Sequence, residues 1–219
     1  MLREEVEKLK GQLISYAGLV ESMIDKSIKG LLNKDKNLLN EVAEKDEPRA
    51  NDYEIEIEEY CTVIIAKFQP TAKDLRMIMM IAQMNNDLER MADQAVNIVE
   101  SSLFLIERPQ LKPLIDIPHM AEMCKAMVKD AIDSFIKEDV KLAAKVCKQD
   151  DIVDDIQEQI YRELLTYIID NPKTIERALH LNRISNNLER IADLSTNICE
   201  DVIFIVEGRM IKHHKDEED

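Results

Sequence analysis

One stretch of this chain occurs twice. Asn86-Asp-Leu-Glu89-Arg90-Met-Ala-Asp93-Gln-Ala-Val-Asn97-Ile-Val-Glu100 returns as Asn186-Asn-Leu-Glu189-Arg190-Ile-Ala-Asp193-Leu-Ser-Thr-Asn197-Ile-Cys-Glu200, and the spacing stays at 100 residues from Glu89 to Glu189 and from Asp93 to Asp193. A repeat of this length makes the chain two copies of one unit, so whatever fold is assigned to one half must serve the other. Upstream, Glu41-Val42-Ala-Glu-Lys-Asp46 matches Lys145-Val146-Cys-Lys-Gln-Asp150 at a spacing of 104. Carried forward, that register pairs Asn51 with Asp155 and Glu54 with Glu158, polar positions that could extend the face of the repeated stretch.

The repeated stretch has helical periodicity. With about 100° per residue, Asn86, Glu89, Asp93, Asn97 and Glu100 group on one side. Leu88, Met91, Ala92, Ala95, Ile98 and Val99 group on the other, which faces a core. The second copy divides in the same way, with Leu188, Ile191, Ala192, Ile198 and Cys199 inward. Two acids at i and i+4 repel, so positive charge is expected near Glu89 and Asp93 and again near Glu189 and Asp193. Two readings stand side by side. In one, the face is a solvated stripe in which Arg90 and Arg190 pair with Asp93 and Asp193. In the other, carboxylate and amide oxygens form a hard-ligand face for a metal ion.

Helical spacing continues through the rest of the chain. A first helix spans about 2–32 with Leu9, Leu13, Tyr16, Ala17, Val20, Met23, Ile24 and Ile28 inward. A second spans about 38–68, with a kink or break near Asp46 to Pro48 because proline removes a helical donor and crowds the carbonyl four residues back. Gln69-Pro70-Thr71 makes a turn with Thr71 as a cap, and the third helix runs over about 72–106. Three prolines between Pro109 and Pro118 mark a linker. Further helices begin near His119, Asp139 and Thr174, with Gly208 as a C-cap and a charged tail after it. The expected fold is all-α: two pseudo-symmetric three-helix bundles, six helices in all. The units cover 1–107 and 119–211, joined by a linker at 108–118 and followed by a tail at 212–219. Four glycines, no tryptophan and 4% aromatic residues agree with helices rather than sheet.

Charge excludes some partners. Forty-four acids against 29 bases leave a formal net charge of −15, a surface that repels nucleic acid phosphates and anionic lipid and favours cations and basic protein surfaces. No window approaches the 18 or so apolar residues that a membrane-spanning helix needs. The N-terminus is acidic and amphipathic, unlike a signal peptide. Cys61, Cys124, Cys147 and Cys199 lie among apolar residues with no C-x-x-C, and are read as reduced thiols of a cytoplasmic protein. Catalytic constellations are missing too. There is no Gly-rich phosphate loop and no Glu-x-x-His of the kind a di-iron helical oxidase requires; Glu176 and His180 have the wrong spacing. His213 and His214 lie in the tail. The chain reads as a non-enzyme.

Several segments resemble the PhoU family of phosphate-transport regulatory proteins. The segment Gln69-Pro70-Thr71-Ala72-Lys73-Asp74-Leu75-Arg76 is similar to that family's Gln-Pro-x-Ala-x-Asp-Leu-Arg turn. Glu89-Arg90-x-x-Asp93 and Glu189-Arg190-x-x-Asp193 resemble its duplicated E-x-x-x-D motifs, and the stretch from Asn197 to Arg209 resembles its C-terminal signature. The resemblance implies two three-helix bundles and an intracellular homodimer that represses the phosphate-starvation response. It implies contact with the ATPase subunit of a phosphate ABC transporter and with a sensor histidine kinase. It also implies manganese, magnesium, zinc or iron on the faces formed by Glu89 and Asp93 and by Glu189 and Asp193, with Asn97 and Asn197 as neighbours. The alternative is an accessory subunit of a low-affinity phosphate permease. Pro48 departs from the family pattern, and Asn51 stands where the 104-residue register puts Asp155, so the first face is expected to be the weaker metal site.

Overall fold

The architecture is that of a computed structural model, which describes residues 1–207. The expected Gly208 cap, the end of the C-terminal signature and the tail histidines lie outside the described residues. Helix α1 (Leu2–Asn33) is followed by a short α2 (Lys36–Glu41), a π-helical turn (Val42–Asp46) and α3 (Glu47–Phe68). Helix α4 (Ala72–Ile106) carries the first copy of the repeat. The second unit consists of α5 (Asp116–Lys137), α6 (Val140–Asp170), a 3-10 turn (Pro172–Thr174) and α7 (Ile175–Glu207), which carries the second copy. With α2, the π turn and α3 counted as one bent rod, each unit is a three-helix bundle.

Every residue assigned inward on the first helix is buried, from Leu9 to Ile28, and so are the inward residues of both copies of the repeat. The duplication extends to caps. Asp35 accepts from the backbone N–H of Asn37 and Leu38 at 3.0 and 3.1 Å, and Asp139 accepts from Lys141 and Leu142 at the same two distances. These aspartates satisfy helix donors that have no partner within the helix. Lys34 and Glu138, each one residue earlier, are both left-handed, with φ 53° and 50°. Thr71 occupies its N-cap position without a side-chain cap bond.

The expected break near Pro48 is the π turn. The Glu47 N–H reaches back five residues to the Val42 carbonyl, which takes up one extra residue just before the proline. That extra residue changes the register of the repeat. The buried positions Ala50, Ile57 and Cys61 of α3 align with Val153, Ile160 and Leu164 of α6, a spacing of 103 rather than 104. The pairs are therefore Asn51 with Asp154 and Glu54 with Gln157, not Asn51 with Asp155 and Glu54 with Glu158. Helix α6 has no proline there and runs unbroken. The linker is also shorter than expected: α5 begins at Asp116, because Pro118 sits in its first turn, where a missing N–H costs nothing. Lys112, buried, holds the linker against α5 and α6 through Asp116 and Glu163.

The two units meet mainly along α4 and α7, which run antiparallel, and secondarily along α1 and α5, where Lys125 Nζ lies 2.6 Å from Asp25. This places the two repeated stretches side by side at the centre of the molecule.

Candidate functional site

The repeated acidic faces look away from the cores on which their helices pack. In the first unit, α4 presents Glu89, half-buried, and Asp93, exposed. Glu54 from α3 lies close by, and Tyr16 from α1 reaches the same place from beneath. Tyr16 stacks on Tyr53 with ring centroids 5.5 Å apart, and its buried hydroxyl has no hydrogen-bond partner among the described residues. Burial, then Glu89, Glu54 and Asp93 in turn, raise the Tyr16 hydroxyl pKa far above its ordinary value. Burial, then Asp93 and Glu54, push the Glu89 carboxyl up as well, while Arg90 pulls it the other way.

The second unit repeats this with different partners. Helix α7 presents Glu189 and Asp193, and Asp154 comes from α6, with Asp151 and Asp155 beside it. Burial, then Asp154 and Asp193, raise Glu189, with Arg190 opposing. Burial, then Asp151, Asp193 and Asp155, raise Asp154. A hydrogen bond of 2.7 Å from Gln157 Nε2 to Asn186 Oδ1 fixes α6 against α7 at the edge of this face.

The solvated-stripe reading assigned Arg90 to Asp93 and Arg190 to Asp193. Among the described residues neither ion pair forms. Arg90 turns back to Asp87, at 3.4 Å, and among the described residues no ion pair neutralises Glu89, Asp93, Glu189 or Asp193. Clustered, partly desolvated carboxylates without a cation, beside an orphaned phenol, make an electrostatic arrangement that a bound cation would relieve. The described residues contain no preformed cluster of three or more His, Cys, Asp or Glu side chains at metal-holding distances. The carboxylates are neighbours, but they are not yet closed around a point.

Asn97 and Asn197 are placed differently from the acids. They lie in the seam between α4 and α7. Asn97 Oδ1 accepts from Arg183 Nη2 at 3.0 Å, and the same guanidinium reaches Glu100 at 3.2 Å. The Asn197 side chain hydrogen-bonds to Asp87. The seam also holds a pair of buried acids that sequence reasoning missed. Burial pushes the Asp87 carboxyl up to about 6, against the pull of Arg90 and Asn197. Burial, then Asp87 and Glu200, push Asp201 up to about 8. Asp154 was missed as well, because the 104-residue register pointed to Asp155. The signal lay in the inward phase of Val153 and Ile160, which fixes which acids of the run Asp150-Asp-Ile-Val-Asp-Asp155 can turn toward α7.

A recess of about 160 Å³ lies near the linker, between the C-terminal ends of α1 and α4. Leu31, Leu105, Leu111, Leu114 and Leu181 line it together with the cations Lys34 and Arg108. Among the described residues no carboxylate lines it, and none of its lining residues belongs to either acidic face.

A duplicated three-helix unit with an E-x-x-x-D face on the last helix of each copy defines the class. The PhoU domain matches this chain twice, over residues 13–102 and 117–202, and the chain belongs to the PhoU family. It is 43% identical over 212 residues to the "Phosphate-specific transport system accessory protein PhoU homolog" of Aquifex aeolicus, covering 97% of this chain and 96% of that one. It is 32% identical to the "Phosphate-specific transport system accessory protein PhoU" of Escherichia coli, over 95% of this chain and 86% of that one. Among solved structures, PhoU from Pseudomonas aeruginosa superimposes with a TM-score of 0.92 at 33% identity, covering 95% of this chain and all of the other. No helix among the described residues is long and apolar enough to cross a membrane.

Proposed function

We propose that this chain is a regulatory accessory protein of phosphate transport. It acts as a non-enzymatic cytoplasmic adaptor that reports the state of a phosphate ABC transporter, through its ATPase subunit, to a sensor histidine kinase, and so holds the phosphate-starvation response off when phosphate is plentiful. The observation that carries this reading is full-length similarity, at 43% identity, to a relative named for a phosphate-specific transport system. The acidic faces supply the chemistry for binding cations or basic partner surfaces, and the net charge of −15 supports the same preference. A homodimer is part of the proposal.

Metal binding belongs to the proposal too. Glu89, Asp93 and Glu54 would hold a cation on the first face, and Glu189, Asp193 and Asp154 on the second, with Asn97 and Asn197 flanking along the seam. Carboxylate oxygens suit magnesium, manganese, iron or zinc. A bound ion would supply positive charge that offsets the mutual repulsion of these carboxylates. The chain's own part is to hold them close and partly dry on rigid helices. The test is deletion of the gene in its own organism, followed by assay of phosphate-repressible genes in high phosphate. Derepression is expected, and normal repression would refute the adaptor reading.

A further inference from the structure

Two cations near the linker have no counter-charge. Lys34, the left-handed residue that closes α1, makes no ion pair among the described residues, and neither does Arg108, just past the end of α4. The chain carries a net charge of −15, yet the carboxylates close to them in sequence are engaged elsewhere. Asp35 caps α2 through the N–H groups of Asn37 and Leu38, Glu107 holds Lys36 at 3.1 Å, and Asp116 holds Lys112. The second unit is built otherwise. Glu138 stands where Lys34 stands, with the same left-handed backbone, and Lys73 meets it at 2.7 Å.

Neither cation is used up in closing its helix. The Gly30 and Leu31 carbonyls at the end of α1 accept from the backbone N–H groups of Lys34 and Asp35, which leaves the Lys34 ammonium free among the described residues. Arg108 gives a single N–H, from Nη1 to the Phe104 carbonyl at 2.8 Å. Its guanidinium carbon lies 3.4 Å from the centre of the Phe104 ring, and the His180 ring centre lies 3.8 Å from the same point. At such distances the two cannot share one face, so Phe104 is held between them. The stack fixes the guanidinium and leaves most of its five N–H donors for another acceptor. Both cations line the recess of about 160 Å³, whose walls are otherwise mostly apolar, with Leu31, Leu111, Leu114 and Leu181 among them. The linker side of that wall is pinned. Arg177 Nη1 donates to the Pro109 carbonyl and Gln110 Nε2 to the Lys112 carbonyl, both at 2.8 Å.

We propose that this recess binds a monocarboxylate with an apolar body of about six carbons, the size of molecule that an apolar cavity of about 150 Å³ holds. The leucines take the body out of water. The carboxylate meets Lys34 and Arg108, whose fork can donate to both of its oxygens. Charge sets the class: two spare cations, with no carboxylate in the described lining, select an anion over an alcohol or an amine. The site shares no lining residue with the acidic faces, so it stands or falls independently of any metal there.

Hexanoate is the probe. It is titrated into the full chain with isotope-labelled leucine methyls, followed by NMR at low salt, where the charge of Lys34 is least screened. The methyls of Leu31, Leu111, Leu114 and Leu181 should shift together and saturate in the range of about 1 mM, as a ligand of about eight heavy atoms allows. Hexanol should bind at least about tenfold more weakly, and hexylammonium and acetate should leave these methyls unmoved. Lys34→Glu takes the residue of the second unit, which the same backbone accepts. It should weaken hexanoate at least about tenfold while thermal unfolding stays unchanged. Hexanol binding as tightly as hexanoate, Lys34→Glu without effect, or leucine methyls unmoved up to about 20 mM hexanoate would overturn the proposal. So would methyl shifts that follow protein concentration with no probe added, which would seat a second copy of the chain in the recess instead.

Discussion

The two units share a fold but distribute charge differently. In the first, Lys26 of α1 bridges Glu41 at 2.7 Å and the buried Asp46 at 2.8 Å. In the second, the equivalent positions carry opposite signs: Asp130 replaces Lys26, Lys145 replaces Glu41, and the two lie 3.7 Å apart. The pair survives with its polarity reversed. The acidic faces differ too. Asn51 and Pro48 in the first unit stand where Asp154 and Asp151 stand in the second, against one exchange the other way, Glu54 for Gln157, so the second face is richer in carboxylates by one. Packing is exchanged as well. Gly30 lies so close to Leu39 that an added Cβ would come within 2.5 Å of it, whereas Ser134 and Ala143 fill the same places in the second unit. The duplication holds the backbone constant, while side chains trade charge and volume in pairs.

The largest expected break in this symmetry is in the seam. Asp87 and Asp201 correspond to Asn187 and Ser101 of the opposite unit, and each of the four has a buried polar atom with no hydrogen-bond partner among the described residues. Both aspartates have folded pKa values raised above the ordinary 3.8. The unfolded chain therefore releases these protons first as pH rises. The stability they allow is complete below about pH 4 and is lost through pH 6 and 8. Replacing the acids by their counterparts, Asp87→Asn with Asp201→Ser, should remove this decline and stabilise the protein by on the order of 3 kcal/mol at pH 8. Urea unfolding at pH 5 and pH 8 measures it. An unchanged pH slope would mean that the carboxyls are hydrated and ordinary.

Next in size is the inverted ion pair. Lys26→Met strands a buried carboxylate at Asp46 and should cost about 2 kcal/mol. Lys145→Met removes a largely exposed partner and should cost less than about 0.5 kcal/mol. Equal costs in thermal unfolding would erase the distinction between the units. Smaller again is the volume exchange. Gly30→Ala gains helix propensity but presses on Leu39, with a net loss of about 1 kcal/mol. In a double-mutant cycle with Leu39→Ala the two changes should couple by about that amount. Simple additivity would show that Leu39 moves aside freely.

How much of this was legible beforehand follows from which interactions are local. Apolar spacing and proline positions placed the helices, because periodicity and missing donors act within a few residues. The E-x-x-x-D faces were visible for the same reason. The one-residue shift at the π turn was not, since six matching positions before it fit a spacing of 104 equally well, and only burial of Ala50 and Ile57 against Val153 and Ile160 reveals 103. The seam acids were hidden because their partners lie more than 50 residues away and meet only when α7 packs on α4. The role of Asn97 and Asn197 in that seam escaped notice in the same way.

The central claim is that the repeated acidic faces are binding sites for cations. Its most direct test is elemental mass spectrometry of untagged protein beside Asp93→Ala, Asp193→Ala and the double variant. Stoichiometric metal in the wild type, reduced further by Asp193→Ala than by Asp93→Ala and absent from the double variant, is the predicted result. Equal and negligible metal in all four proteins would contradict it, and would leave both faces as polar surfaces without an ion.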